Sequence, residues 1–337
     1  MNKRHPLRTG RRFLGALAFS TLIASASPLR AQTAAQTIEW TLVSEYPASA
    51  MPGEAATLFA TALARESGNR VAVKSLFDAA MGLKSADMPG AVRAGRIAIG
   101  DAFAGSLSKL DPLFLLSSLP FVTANNEDMR RLFEAARPLY AARFAQEGQR
   151  LLYATPWPPT GIWSKKPLAT PADLAGLALR VYDSTGVAVF TAAGARPVNI
   201  SFADTMPRLL DGSVEAVASS GDGGAGRKLW DHLRYFTEIG YASPLSFATL
   251  NEAQYQALSP ELRGAVDKAA GETQEALWKL LETRLSANYT RMGANGMTIA
   301  KGEALSPELR QLLRRSAAEA VEAWKKEAGP TAAALLK

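Results

Sequence analysis

The chain contains no cysteine, which removes disulfides, zinc–thiolate sites and cysteine nucleophiles together. Histidine is almost as scarce. Of the two present, His5 lies in a basic N-terminal stretch, so His232 alone remains for any Ser-His-Asp or His–metal arrangement. A lone histidine on the helical segment 228–233 reads as a surface or edge residue. No G-x-S-x-G elbow occurs, and no carboxylate pair stands out as a glycosidase site. Past the first 31 residues no apolar run is long enough to span a bilayer, and no solenoid-length repeat is visible. These absences argue against an enzyme, a metalloprotein and a membrane-embedded protein.

What is present begins with charge. The formal net charge is +7, from 38 Lys and Arg against 31 Asp and Glu. Lys3, Arg4, Arg8, Arg11, Arg12 and Arg30 fall within the first 31 residues, where there is no acid. Removing those six leaves 32 basic residues against 31 acids, so the excess belongs to the leader and gives no support to nucleic-acid binding. The leader has the parts of an export signal: a basic segment 1–12, an apolar run 13–26, and small residues at Ala24-Ser25-Ala26 and Ala31 as cleavage sites. Arg11-Arg12-Phe13-Leu14 resembles a twin-arginine signal without its usual spacer, which leaves Sec and Tat export both open. The expectation is a protein outside the cytoplasmic membrane, in the periplasm.

Beyond the leader, strand-like and helix-like segments alternate. Period-2 and apolar runs predict strands over 38–44, 71–77, 97–103, 150–154, 178–182, 197–200, 214–218 and 245–250. Helical spacing and stop or cap signals predict helices over 54–66, 88–94, 125–146, 185–193, 202–210 and 225–233, then a mostly helical tail over 260 to about 291 and 307 to about 326. Such alternation, in 337 residues, predicts an α/β fold of two lobes about a central cleft, with mixed sheets flanked by helices. The expected division is 37–158 plus about 243–275 for the first lobe and 159–242 plus about 276–337 for the second. Ligands of open α/β sheets bind at strand carboxyl ends.

The run Gly221-Asp222-Gly223-Gly224-Ala225-Gly226-Arg227-Lys228 fails the phosphate-loop template, since lysine is displaced by one position and the magnesium-holding hydroxyl is missing. It reads equally as a turn offering N–H groups to an anion and as a plain strand-to-helix turn.

Several stretches, in order, resemble one family. Leu119-Pro120-Phe121, residues 91–100 (AVRAGRIAIG), residues 167–181 (PLATPADLAGLALRV), residues 194–198 (GARPV) and residues 202–214 (FADTMPRLLDGSV) are similar to recurrent motifs of the DctP-type extracytoplasmic solute receptors of TRAP transporters. The resemblance spans nearly the whole chain past the leader. It implies a type II-like binding protein without cofactor, usually monomeric. Such a protein closes on a carboxylate and delivers it to TRAP membrane subunits. It also implies a long kinked helix crossing both lobes, expected over 260–291. Arg180 stands where the family has the arginine that pairs with the ligand carboxylate; a guanidinium fork fits that task. An internal pair with Asp183 is the competing reading. Trp157, in the Pro-rich stretch between the lobes, is a candidate aromatic wall. Phe103, Tyr182 and Phe247 are further lining candidates, with core packing the default reading for each, and Met81 and Lys84 face the cleft from the first lobe as candidates too, Lys84 either offsetting a second ligand charge or simply solvated. Two departures narrow the ligand. Ser219, Ser220 or Asp222 replaces the family's usual asparagine, and residues 155–161 (TPWPPTG) carry no second arginine. Both point to a small or apolar monocarboxylate. A receptor feeding an ABC importer or a sensor is the alternative, and a cell-envelope enzyme a more distant one.

Overall fold

A computed structural model describes residues 37–336; the export leader lies outside the described residues. The first lobe begins with β1 (Ile38–Ser44), α1 (Met51–Glu66), β2 (Val71–Leu76), α2 (Met88–Arg93) and β3 (Ile99–Phe103). Two 3-10 segments, Ala104–Leu107 and Pro112–Ser118, lead to α3 (Asn126–Gln146) and β4 (Gln149–Pro156). The chain then crosses to the second lobe: β5 (Thr160–Ser164), α4 (Pro171–Leu174), β6 (Ala178–Val181), α5 (Ser184–Ala192), β7 (Arg196–Asn199), α6 (Thr205–Leu210), β8 (Ala216–Ser220), α7 (Gly221–Gly226) and β9 (Tyr235–Thr237). It returns through β10 (Leu245–Asn251) and α8 (Glu252–Gln256), and ends with α9 (Pro260–Ala294), β11 (Thr298–Ala300) and α10 (Pro307–Ala333).

Both sheets are mixed. The first has the order β2-β1-β3-β10-β4 and the second β11-β9-β5-β8-β6-β7. In the first, β1 runs parallel to β2 and β3, while β10 is antiparallel to β3 and β4. In the second, β6 is parallel to β7 and β8, and β5 is antiparallel to β8 and β9. The crossing segments are tied to each other. Trp157 N donates to Pro244 O at 2.9 Å, and Thr160 N to Ala242 O at 2.8 Å.

Local sequence explains most helix starts. Asn125, Asp183, Ser220, Ser259 and Ser306 each accept a backbone N–H at an N-terminus, the role short polar side chains fill best. Helix α9 runs 35 residues without a break. Its first half packs on α1 and β4, with Leu277 in the core that holds Phe59 and Leu152; its end packs on α7, with Met292 beside Trp163 and Phe236. On the way, Gln274 pairs both amide atoms with the backbone of Ala154, closing the exposed edge of β4. Helix α10 begins against α5 and ends on the first lobe, where Trp324 Nε1 donates to Pro112 O at 2.7 Å. The tail that the sequence assigns to the second lobe therefore finishes on the first.

One segment differs from its expected form. The glycine run 221–226 is not a turn preceding a helix but the helix α7 itself, followed by a 3-10 turn over Leu229–Asp231. Glycine is a poor helix former, yet packing demands it here. A Cβ on Gly224 would fall 2.1 Å from the Trp163 ring.

Candidate functional site

A small cavity of about 20 Å3, closed down to little more than the space of one water, lies where strands of both lobes end. Its floor is Arg180, on β6 and 3% exposed. The guanidinium is held by backbone carbonyls: Nε donates to Ile200 O at 3.1 Å and Nη1 to Ala218 O at 3.2 Å. Among the described residues Arg180 forms no ion pair. Asp183 does not take that part; its Oδ1 caps α5 by accepting Gly186 N at 2.8 Å. Burial lowers the pKa of Arg180 from its ordinary value, but an arginine stays charged in a protein. The site thus holds one buried cation, fixed by two backbone carbonyls and without a direct ion pair among the described residues, although the buried carboxyls of Glu45 and Asp183 lie within electrostatic reach.

Aromatic rings enclose this cation. Phe202 lies 5.4 Å from the guanidinium carbon and Tyr182 5.9 Å, both within cation–π range. Tyr182 meets Phe103 edge-on at 5.1 Å, Trp157 meets Tyr46 edge-on at 4.8 Å, and Tyr46 contacts Phe202 at 5.4 Å. Most polar atoms of the walls already have partners. Trp157 Nε1 donates to Ser246 Oγ at 3.0 Å, the hydroxyls of Thr160 and Tyr182 are 3.1 Å apart, and Ser220 Oγ accepts Gly223 N at 3.1 Å. Gly223 is needed for closeness, because a Cβ there would lie 2.6 Å from Ser219 Oγ.

Arg180, Trp157, Tyr182, Phe103, Ser219 and Ser220, six candidates read from the sequence, meet in this cavity. Four others lie elsewhere. Phe247 is fully buried among Phe114, Tyr140 and Phe144 in the first lobe's core. Met81 is 47% exposed on a loop, and Lys84 beside it pairs with Asp204 rather than facing the cavity. Asp222 is a structural acid. One oxygen accepts Met51 N at 2.8 Å from the first lobe, and the other binds Arg284 and Asn288 of α9. The start of α7 is thereby occupied by the protein's own groups, and the reading of the glycine run as a plain structural element fits it better than an anion site.

Tyr46, Thr160, Phe202, Gly223 and Pro244 also line the cavity; the motif over 202–214, the stretch 155–161 and the glycine run contain three of them without marking them as wall residues. Their signal was positional: Tyr46 closely follows β1, Phe202 closely follows β7, Thr160 and Pro244 flank the crossings, and Gly223 follows the end of β8.

Residues 42–327 match the family model described as bacterial extracellular solute-binding protein, family 7, DctP. Among curated proteins, the 2,3-diketo-L-gulonate-binding periplasmic protein YiaO of Escherichia coli is 24% identical over 233 residues, which is 67% of this chain and 70% of that one. Among solved structures, DctP7 of Bordetella pertussis, an extracytoplasmic solute receptor binding pyroglutamic acid, superposes with a TM-score of 0.84 at 28% identity, covering 89% of this chain and 98% of that one. A TRAP solute-binding protein from a marine metagenome, specific for pyroglutamate, gives 0.83 at 27% identity with the same coverage. With a buried arginine at the junction of two lobes and a family match along most of its length, the chain belongs to the DctP family of bacterial extracellular solute-binding proteins.

Proposed function

We propose that this protein is an exported receptor that captures one small, hydroxyl-poor monocarboxylate between its lobes and delivers it to a TRAP-type transporter, without chemical change to the ligand. The observation that carries this reading is Arg180: a buried guanidinium, held in place by two carbonyls, with no ion pair among the described residues and an aromatic cavity before it. A ligand carboxylate docking there gains charge-assisted hydrogen bonds, each worth roughly 1.5–3 kcal/mol. The single cation suits one carboxylate. The rings of Tyr46, Phe103, Trp157, Tyr182 and Phe202 make the walls largely apolar, and against them a polyhydroxylated acid would bury unsatisfied groups. A compact ring acid such as pyroglutamate, bound by relatives at 28% and 27% identity, meets these limits. The unbroken helix α9, packed on both lobes, favours delivery to a TRAP transporter over an ABC importer or a sensor.

The test is a thermal-shift and calorimetric screen of the leaderless protein against small organic acids, with neutral sugars and nucleotides as controls. At a hundred times its dissociation constant a ligand adds about 2.7 kcal/mol of stability. Monocarboxylates, with L-pyroglutamate foremost, are expected to raise the melting temperature, and Arg180→Lys to abolish the shift because a point charge does not replace the fork. A shift confined to sugars or nucleotides, or one unchanged in Arg180→Lys, would overturn the reading.

A further inference from the structure

We infer that Glu45 is a positioning residue for capture: its buried carboxylate straps the two lobes together at the mouth of the cavity and sets the rate of ligand release. The inference rests on the receptor reading above but concerns a residue that does not line the cavity. Glu45 directly follows β1 and is 1% exposed. Its Oε2 accepts Ser85 N at 2.8 Å within the first lobe, and its Oε1 accepts Ala203 N at 2.8 Å from the second. The backbone carbonyl of the same residue accepts Nη2 of Arg227, again from the second lobe, at 2.9 Å. Both ends of one residue are therefore held across the cleft.

The strap bears directly on the cavity walls. Glu45 precedes Tyr46 and Ala203 follows Phe202, and these two rings touch at 5.4 Å. Phe202 is packed between Arg180, 5.4 Å away, and Arg227, 5.6 Å away. The turn that presents Glu45 is itself fixed, because Ser44 Oγ donates to Asp101 Oδ2 at 2.7 Å and accepts Tyr46 N at 3.2 Å. A second link, Lys84 to Asp204 at 2.7 Å, closes the same mouth, but its side chains are 40% and 45% exposed. Exposed pairs contribute little. The buried, charge-assisted bond at Glu45 is the stronger of the two. Ala203 N meets Glu45 only when the lobes are shut, so the bond opposes opening and leaves encounter with the ligand untouched.

Stopped-flow tryptophan fluorescence with L-pyroglutamate separates the two rates. In Glu45→Gln the amide offers one oxygen where the carboxylate offers two, and one of the N–H groups loses its acceptor. Release is expected to quicken about tenfold or more, with association within about twofold of wild type and a modest fall in the ligand-free melting temperature, because one buried N–H group loses its acceptor. The same factor is expected for every acid the wild type binds, whereas Arg180→Lys removes binding altogether. A release rate within twofold of wild type would overturn the strap while leaving the receptor reading intact. If wild type binds no acid in the panel, the receptor reading fails, and the strap is read by hydrogen exchange of the Ala203 amide in the ligand-free protein. Slow exchange that becomes fast in Glu45→Gln supports it; equally fast exchange in both refutes it.

Discussion

Trp157 and Ser246 join the two crossings between the lobes, the indole N–H donating to Oγ at 3.0 Å in a fully enclosed contact. The tryptophan that walls the cavity is thus fastened to β10, the strand by which the chain re-enters the first lobe. Ser246→Ala leaves the indole N–H buried without an acceptor, at a cost of about 1–3 kcal/mol. Melting temperature and ligand affinity are expected to fall together, read by calorimetry and titration. Trp157→Ala is expected to lose affinity selectively for apolar or aromatic acids; equal losses across all ligands would assign Trp157 to the crossing rather than to the ligand.

The Thr160 and Tyr182 hydroxyls share one hydrogen bond at 3.1 Å, which takes up one of their two O–H groups. Tyr182→Phe frees the Thr160 hydroxyl inside the cavity. The expected outcome is a loss of about 1 kcal/mol in stability and a shift of selectivity toward hydroxy acids, measured as the ratio of dissociation constants for lactate and propionate.

Asp183 gives a pH dependence. Burial pushes its carboxyl up to about 6, from an ordinary value of 3.8, against the lowering effects of Gly186 N, Ser118 and Arg180. Its Oδ2 has no hydrogen-bond partner, and the rings of Tyr182 and Tyr241 lie near it. The folded state binds this proton more tightly than the unfolded one. The cost of burying the ion is therefore in full force above pH 6 and is relieved as pH falls toward 4, at most about 3 kcal/mol in all. Asparagine still caps a helix, so Asp183→Asn is expected to raise the melting temperature at pH 7.5 and to leave it unchanged near pH 4. A drop of equal size at both values would show that the carboxylate stabilises the fold instead.

Asp222 holds Arg284 and the start of α1. Asp222→Asn weakens a buried ion pair in which Arg284 retains Glu54 and Ser49 O as partners. A loss of about 2–4 kcal/mol in stability is expected, with the order of ligand preference unchanged. A reordering of ligands in titration would return Asp222 to the site.

The strands and long helices were legible because period and caps agree at the same places: the strand expected at 38–44 is Ile38–Ser44, and the helix expected from 125 starts beside the Asn125 cap. Where they disagreed, at 221–226, composition pointed to a turn and a tertiary contact with Trp163 made a helix. The cavity was legible where a motif or an unusual flank singled out a residue, as at Arg180 and Trp157. It was illegible at Tyr46, which leaves no local pattern, and at Phe202 the motif over 202–214 marked the segment but not the ring's place in the cavity, which depends on the lobes meeting. Phe247 shows the reverse error, since an aromatic on a central strand is as good a core residue as a wall, and packing against Phe114 and Tyr140 decided it.

The two crossings leave from β4 and β10, which are neighbours in the first sheet with Leu245 opposite Pro156, and they stay bonded to each other through Trp157–Pro244 and Thr160–Ala242. A two-stranded ribbon of this kind bends across its width far more readily than it slides along its length. The ribbon is not the sole tie, since α9 and α10 also run from one lobe to the other, so a second lobe that swings at Pro156 and Leu245 must carry two long helices with it, as a door hung on a hinge and held by two stays.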